Sequence, residues 1–432
     1  MGVDRASVTT SSRGSGPGRR GPRNGLVGLL IANLVSVAGG SVSLVALPWF
    51  VLATTGSTVA TGVAVVAETL PVVAVALVAG TVVHRVGAVA TRIGSDVISA
   101  VTVLAIPALH ATVGLAYWQL LVLVAVNGAA RAPAPAASLV LLNTLSASGG
   151  TPPDRARANY VASVRLAAAV SAPLGGLLIA VWGALTALVV DAASFAVSAL
   201  LLTATLHVRR PSDPTSRWNA DPPLRAWDGL RALTSDQVLT LLSAVVVMLA
   251  VLEGAWVGVL APAYGQRVLH SSTALGLLLG LFGVGALLGN LTYPWVAERS
   301  DHHLLVWTCL GASTALRYGV LGASTVLPLL AGAVLLAGLA SGLLSPLWLR
   351  LLSDRTKPPL HGHVFGITFG LEQGGYAIGA LAGGLVLARV SISAALIGAA
   401  GISVALALLA ATAPPLRALH HGRTTTLPSP SR

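Results

Sequence analysis

The stretch Ala-Ala-Val-Ser-Ala-Pro-Leu-Gly-Gly, residues 168–176, lies in the middle of a long apolar run. Ala168, Ala172 and Gly176 recur at every fourth residue, so they share one face of a helix. A face this small lets a neighbouring backbone approach closely, which is how helices pack in a lipid environment. Pro173 removes a backbone donor and favours a bend. The stretch therefore predicts a tightly packed, bent membrane helix.

Composition indicates a membrane protein. Of the 432 residues, 55% are hydrophobic and 9% are charged, whereas a soluble domain carries about 25% charged residues. The net charge is +12, but the surplus arginines lie at the ends of apolar runs, so we expect no nucleic-acid partner. Cys309 is the single cysteine, which excludes an intrachain disulfide and argues against a cysteine metal site. We expect no metal and no cofactor.

Twelve apolar runs are long enough to cross a bilayer, which takes about 20 residues. They cover residues 26–53, 58–83, 94–114, 117–142, 159–182, 185–206, 236–264, 273–296, 304–325, 327–352, 363–388 and 391–413. Six precede a polar stretch and six follow it. We predict an all-α integral membrane protein with a disordered basic tail (1–25), two six-helix bundles (26–206 and 236–413), a cytoplasmic linker between them (207–235) and a second tail (414–432).

The basic residues predict the orientation, because arginine and lysine are enriched on the cytoplasmic side. Of the 26 basic residues, 20 fall in segments that are cytoplasmic if both termini are inside. Two, Arg267 and Arg389, fall in the outer loops. We therefore expect both termini in the cytoplasm.

The two halves of the chain also share a glycine pattern. Gly175-Gly176 in the fifth span matches Gly383-Gly384 in the eleventh at an offset of 208 residues. Two six-helix repeats around a site at the membrane midplane are typical of secondary transporters. Chance matching among glycine-rich helices is the alternative.

Local motifs carry a family resemblance. The segment Ala172-Pro173-Leu-Gly175-Gly176 is similar to an antiporter signature, Gly-Pro-x-x-Gly-Gly, with Ala172 for the first glycine. Asp191-Ala-Ala-Ser-Phe matches a sixth-helix pattern of the same group. Over residues 26–413 the chain resembles the major facilitator superfamily, and within it the twelve-helix bacterial drug:proton antiporters and the macrolide or siderophore exporters. The resemblance implies two pseudo-symmetric six-helix bundles.

The loop after the second span departs from the family pattern Gly-x-x-x-Asp-Arg-x-Gly-Arg-Arg. The chain keeps Gly80 and Arg85, has His84 where the family has the acid, and retains Asp96 in the next span. The resemblance implies that these four residues form a gating lock. Histidine titrates near neutrality, so the lock is either lost or sensitive to pH.

Ionisable residues inside the spans are candidates for function, because each costs about 2.5–3.5 kcal/mol to insert. Nine meet this description: Glu68, Asp96, Arg131, Arg165, Asp191, Glu253, Arg317, Arg350 and Glu372. The resemblance implies that Glu68, Arg131, Arg165, Glu253 and Glu372 line a central cavity. It places Asp191 and Arg317 outside that cavity, and Asp96 and Arg350 near cytoplasmic ends.

Burial favours the neutral form of a carboxyl, and a nearby arginine favours the charged form. A carboxyl whose arginine partner changes between inward and outward states can therefore carry a proton. Our hypothesis is that Glu68, Glu253 or Glu372 carries it, with Arg131 and Arg165 as changing partners. Static ion pairs that only fix the helix register are the alternative.

These features predict a secondary transporter, not an enzyme, in the bacterial inner membrane. We expect a monomer in the lipid bilayer that exports an amphipathic small molecule, drug-like or a secondary metabolite, in exchange for protons by alternating access. An importer or siderophore exporter of the same fold and a non-transporting membrane receptor remain alternatives. An integral membrane enzyme would need a Ser/His/Asp or metal cluster, and the sequence has no convincing one.

Overall fold

The computed structural model describes residues 22–76, 78–206, 226–299, 302–356 and 360–412. Residues 1–21 and 414–432 of the predicted tails and residues 207–225 of the predicted linker lie outside these ranges. The prediction of a disordered tail up to residue 25 is wrong for residues 22–25, which form the first turn of α1. The first half is helical: α1 (Pro22–Thr55), α2 (Thr58–Ala76), α3 (Ala79–Val86), α4 (Ala88–Thr112), α5 (Tyr117–Arg131), α6 (Ala134–Gly149) and α7 (Pro153–Thr205). Helix α7 changes direction at Gly183, where φ is 83°, so it forms two legs.

The second half is also helical and contains two π-helical turns, π1 and π2. Its elements are α8 (Ala226–Ser235), α9 (Gln237–Ala255), π1 (Trp256–Leu260), α10 (Ala261–Arg267), α11 (Ser272–Arg299), α12 (His302–Gly311), π2 (Ala312–Leu316), α13 (Arg317–Ala323), α14 (Leu327–Arg355), α15 (His361–Leu387) and α16 (Ile392–Thr412). Each π turn lies inside a span that the sequence predicts as one continuous helix.

Nine helical segments among the described residues are long and apolar enough to cross a membrane. They are Gly25–Thr55, Thr58–Ala76, Ala88–Thr112, Tyr117–Ala147, Leu174–Thr205, Gln237–Arg267, Ser272–Val296, Leu327–Leu352 and Ile392–Thr412. The predicted spans 159–182, 304–325 and 363–388 do not appear as separate members of this set, so the count of twelve stays a prediction. All three are nonetheless helical where they are described. The all-α membrane fold is confirmed.

The two halves meet at one end of the bundle, which carries the turns at 56–57, 268–271 and 388–391. We call it the closed end. Thr58 Oγ1 donates a hydrogen bond to the carbonyl of Gly384 at 2.9 Å. Gln266 Nε2 donates to the carbonyl of Trp49 at 3.0 Å. Both bonds join α1 or α2 of the first half to the second half, so they hold this end together.

The apolar core follows the same division. One cluster of buried residues draws on both halves at the closed end, and includes Phe50, Val124, Tyr264 and Leu275. At the opposite end, the divided end, the buried clusters belong to one half each. A core that is shared at one end and separate at the other describes two bundles that converge at the closed end.

The repeated glycine pairs occupy equivalent places. Gly175 of α7 packs on α1 of its own half, where an added Cβ would lie 3.4 Å from the Val42 Cα. Gly383 of α15 packs in the same way on α9, where an added Cβ would lie 3.0 Å from the Ala255 Cα.

The second glycine of each pair contacts the other half. A Cβ on Gly176 would lie 2.7 Å from the Ser272 carbonyl oxygen of α11, and a Cβ on Gly384 would lie 2.6 Å from the Thr58 carbonyl oxygen of α2. In each half, then, the first glycine packs within the bundle and the second packs across to the other. This exchange is the pattern expected for two repeats related by a pseudo-two-fold axis.

Part of the predicted linker is ordered. Residues 226–235 form α8, and its Leu233 is buried in a small cluster with Leu239, Leu352 and Val364. The helix therefore packs against the divided end of the second half, because apolar residues on one of its faces gain burial there.

Candidate functional site

Glu68 and Arg131 face each other near the middle of the first half. Arg131 Nη1 lies 3.8 Å from Glu68 Oε1, and the side chains are 37% and 20% exposed. Asn127 Nδ2 donates to the same oxygen at 3.5 Å. Charge-assisted hydrogen bonds are usually about 2.7–2.9 Å long, so this pair is loose. Both groups are free to change partners.

Asp191 lies beside this pair, on the second leg of α7. It is 1% exposed, and its Oδ2 accepts a hydrogen bond from the Ser43 hydroxyl of α1. A Cβ on Gly39 would lie 2.7 Å from Asp191 Oδ1, and a Cβ on Gly40 would lie 2.7 Å from Arg131 Nη2. Arg131 and Asp191 therefore lie against consecutive residues of α1. Asp191 faces the bundle interior, although the resemblance places it outside the cavity.

Glu253 and Arg317 form the corresponding charge pair of the second half. Arg317 Nη2 lies 2.6 Å from Glu253 Oε2, with the arginine 2% exposed and the glutamate 38% exposed. Nη2 also donates to the Tyr318 hydroxyl at 2.7 Å. The rings of Trp256, Phe282 and Tyr318 lie 4.6–5.6 Å from the guanidinium carbon, within cation–π range. The arginine is fixed, and the carboxylate is partly open.

Turn π2 accounts for the orientation of the Arg317 side chain towards the bundle interior. Turn π2 ends at Leu316, directly before Arg317, and π1 begins three residues after Glu253. A π turn holds one extra residue, which rotates the following side chains by about 100° relative to an uninterrupted helix. Arg317, which the resemblance places outside the cavity, is turned by π2 towards α9.

Helix α15, which carries Tyr376, packs against both α2 with Glu68 and α9 with Glu253. The backbone of Tyr376 packs against Gly254, next to Glu253. Tyr376 and Glu372 are four residues apart and share one face of α15. Glu372 is exposed, and the described residues include no ion-pair partner for it.

Asp96 has partners other than those predicted. It forms a buried ion pair with Arg92, one turn earlier on α4. Ser36 and Ser198 donate hydrogen bonds to its two oxygens at 3.1 and 2.6 Å. His84 and Arg85 lie exposed on α3 with Gly80. The structure does not bring them to Asp96, so the four predicted lock residues do not form one cluster.

Of the two predicted arginine partners, only Arg131 is observed beside a predicted carboxylate. Arg131 reaches Glu68, whereas Glu253 pairs with Arg317 instead of a predicted partner. The backbones of Arg165, Ala172 and Pro173 lie in α7, but their side chains lie outside the described part of the structure. Gly175 and Gly176 pack closely, as their small size predicts.

Sequence analysis missed Tyr376 and Ser43, which carry no charge. The signal that could have found Tyr376 is its spacing of four residues from Glu372 on a glycine-rich helix. No group of three or more His, Cys, Asp or Glu side chains able to hold a metal occurs within the described ranges.

Comparison with known proteins agrees with this architecture. The family model of the Major Facilitator Superfamily matches residues 29–316 and 249–430. The nucleoside transporter NupG superposes with a TM-score of 0.72 at 16% identity, covering 92% of this chain and 99% of that one. A bacterial homologue of the iron transporter ferroportin, in an inward-facing state, gives 0.66 at 15% identity, covering 92% of this chain and 99% of that one. These likenesses concern the fold.

Two relatives share more sequence. The multidrug efflux pump Tap of Mycolicibacterium fortuitum is 28% identical over 395 residues, covering 90% of this chain and 94% of that protein. The pump of the same name from Mycobacterium tuberculosis (strain ATCC 25618 / H37Rv) is 28% identical over 396 residues, with the same coverage. Together with the helical bundles and the family match, they confirm the predicted family: this chain belongs to the Major Facilitator Superfamily and is a multi-pass secondary active transporter.

Proposed function

We propose that this transporter exports amphipathic small molecules from a bacterial cytoplasm in exchange for protons, by alternating access. The relatives named as multidrug efflux pumps support export and a broad substrate range. In this proposal the protein lies in the bacterial inner membrane with both termini in the cytoplasm. The divided end then faces the cytoplasm, and the closed end faces the outside. The structure then corresponds to a state open to the cytoplasm. We call the space between the two bundles at the divided end the gap. One chain supplies the bundles on both sides of it, which supports a monomer as the working unit.

The observation that carries the proposal is the pair of carboxylate–arginine contacts on either side of α15. Glu68 with Arg131 comes from the first half, and Glu253 with Arg317 comes from the second. A carboxyl group beside an arginine releases its proton more readily than a carboxyl group alone. When the halves rock, the arginine distances change, and so does the tendency of each acid to hold a proton. Proton movement is thereby linked to the opening of the gap.

The charge open to the gap favours a cationic or neutral substrate. Glu372 is exposed and Glu253 is 38% exposed, whereas Arg317 is 2% exposed. Phe369, three residues before Glu372, is also exposed and adds apolar surface. An amphipathic cation would pair with the carboxylates and stack on an aromatic ring. Arg131, which is 37% exposed, is the group that would favour an anion instead.

The test uses inside-out vesicles with an imposed proton gradient, acid inside, and a pH dye in the lumen. Addition of a transported compound from a panel of amphipathic cations, neutral drugs and anionic siderophores should raise the internal pH. Glu68→Gln and Glu253→Gln should abolish this proton release, and Glu372→Gln should weaken the response to cations. Asp354→Asn removes an exposed carboxylate at the divided end and is the matched control. Unchanged proton release in all three variants would contradict the proposal.

A further inference from the structure

A small cavity with polar groups on part of its lining separates Glu68 from the Ser43 hydroxyl. Ser43, Glu68, Asn127 and Thr102 line it together with apolar residues, and its volume is about 10 Å³. That is room for about one water molecule, which needs two to four polar partners to be stable. Asn127 Oδ1 is buried without a hydrogen-bond partner in the described part of the chain. The cavity therefore suits one hydrogen-bonded water between Glu68 and Ser43.

On its other side Ser43 reaches Asp191. The hydroxyl donates to Asp191 Oδ2. Oδ1 is buried without a hydrogen bond of normal geometry, because the neighbouring Ser194 hydroxyl donates to the Asp191 backbone carbonyl instead. A buried carboxyl oxygen without a partner is costly when the group is charged. This site therefore favours either a protonated Asp191 or a second hydrogen-bond or ion-pair partner at Oδ1.

Arg131 is the cation within reach. Its Nη2 lies against Gly40 and Asp191 Oδ1 lies against Gly39, and the contact between Arg131 and Glu68 is loose at 3.8 Å. Arg131 therefore lies next to both carboxyls, and in a region of low dielectric a single arginine neutralises only one of them.

We propose that Asp191 is a second proton-binding carboxyl, connected to Glu68 through Ser43 and the cavity, and that Arg131 decides which of the two acids is charged. This inference rests on the proposed proton exchange and adds the group that stores the proton. Asp191 is 1% exposed, so it exchanges its proton through Ser43 and the cavity.

The proton balance is simple. With Arg131 on the Glu68 carboxylate, Asp191 carries the proton. When Arg131 moves to Asp191, the Ser43 hydroxyl turns its hydrogen from Asp191 Oδ2 to the cavity water, and its oxygen accepts from the protonated Asp191. The Asp191 O–H bond then breaks and its proton passes to Ser43 Oγ. The Ser43 hydroxyl proton passes to the cavity water, and a proton of that water passes to a Glu68 oxygen. Each O–H bond that breaks is replaced by one that forms, and one proton has moved from Asp191 to Glu68.

No described residue forms an ion pair with Asp191. Glu68 faces it from α2 and Arg131 from α5, and α1 contributes the uncharged Ser43. Asp96 and Arg92 of α4 lie about two turns of α7 away, where Ser198 donates to Asp96. Their buried pairing keeps them separate from the relay.

The first test needs no substrate. Infrared difference spectra between acidic and alkaline pH are recorded on the full chain in liposomes. Bands of protonated carboxyls should appear in the wild type, and the one that belongs to Asp191 should be missing in Asp191→Asn while those of other carboxyls remain. Ser43→Ala should keep the band but shift it to higher frequency, because the carboxyl loses a hydrogen bond. Ser41→Ala, which removes a hydroxyl bonded to its own helix, should leave the band unchanged.

The second test follows proton release driven by ethidium, an amphipathic cation, in proteoliposomes. Asp191→Asn and Ser43→Ala should reduce it about tenfold or more, while exchange of labelled for unlabelled ethidium persists. Ser43→Thr, which keeps a hydroxyl, should restore it. Wild-type proton release and an unchanged band in Asp191→Asn would overturn the relay alone. Absence of any ethidium-driven proton movement in the wild type would instead count against proton antiport, and the infrared band would still decide whether Asp191 binds a proton. If Asp191→Asn does not fold, the band shift in Ser43→Ala decides.

Discussion

Arg317 Nη2 lies 2.6 Å from Glu253 Oε2, and the arginine is 2% exposed while the glutamate is 38% exposed. The two partners therefore depend on each other unequally. Without Glu253, a buried guanidinium would lose its counter-ion. Without Arg317, the carboxylate could still be hydrated from the gap.

This asymmetry predicts that Glu253→Gln is more destabilising than Arg317→Met. Breaking a buried pair costs about 3–5 kcal/mol when the remaining charge is uncompensated, and we expect Glu253→Gln near the lower end, since water reaches that site. The apparent melting temperature of the protein in detergent measures the order. The double variant should recover part of the loss. An equal or larger loss in Arg317→Met would contradict the unequal dependence.

A second prediction concerns the buried pair of Arg92 and Asp96. Both side chains are under 5% exposed, so Asp96→Asn leaves an unpaired buried arginine and should cost about 3–5 kcal/mol. Asp354→Asn breaks an exposed pair with Arg350, in which the side chains are 64% and 56% exposed, and should cost about 0–1 kcal/mol. Thermal unfolding of both variants in one detergent gives the comparison. Similar losses would show that burial does not set the cost.

A third prediction concerns the closed end. Gly176→Ala places a Cβ 2.7 Å from the Ser272 carbonyl oxygen, closer than two non-bonded atoms normally lie. The halves must then separate there, so the closed-end distance should increase. Spin labels in the turns at 56–57 and 268–271, in a Cys309→Ala background, measure that distance. Gly398→Ala, where an added Cβ meets open space, is the control. An unchanged distance would mean that the interface can absorb a methyl group.

A fourth prediction concerns Gln266, which donates to the Trp49 carbonyl at 3.0 Å across the two halves. Gln266→Leu removes a hydrogen bond worth about 1 kcal/mol, so the ratio of closed to open molecules should fall about fivefold. The same spin-label distances report the populations. Asn290→Leu removes an amide that bonds only within its own helix at 2.9 Å and should leave the ratio unchanged. A normal ratio in Gln266→Leu would mean that closure does not depend on this bond.

Part of the site could be predicted from the sequence. Ionisable residues in apolar runs are easily recognised, and Glu68, Arg131, Glu253 and Glu372 were identified in this way. Arg131 was predicted as a partner and lies beside Glu68, but the partner of Glu253 could not be predicted, because it depends on helix rotation. The π turn before Arg317 is an example: the extra residue has no signature in the hydrophobic pattern, yet it rotates the arginine towards Glu253.

The sequence by itself determined the membrane class, the all-α fold and the places of the paired glycines. These follow from local properties: the length of an apolar run and the size of a side chain. Only the tertiary structure decided that Gly176 and Gly384 bridge the halves, that Asp191 faces inward with Ser43, and that Glu253 pairs with Arg317. Such contacts join residues 60 or more positions apart in the chain, and their geometry is set by how the helices pack and turn, which no local pattern records.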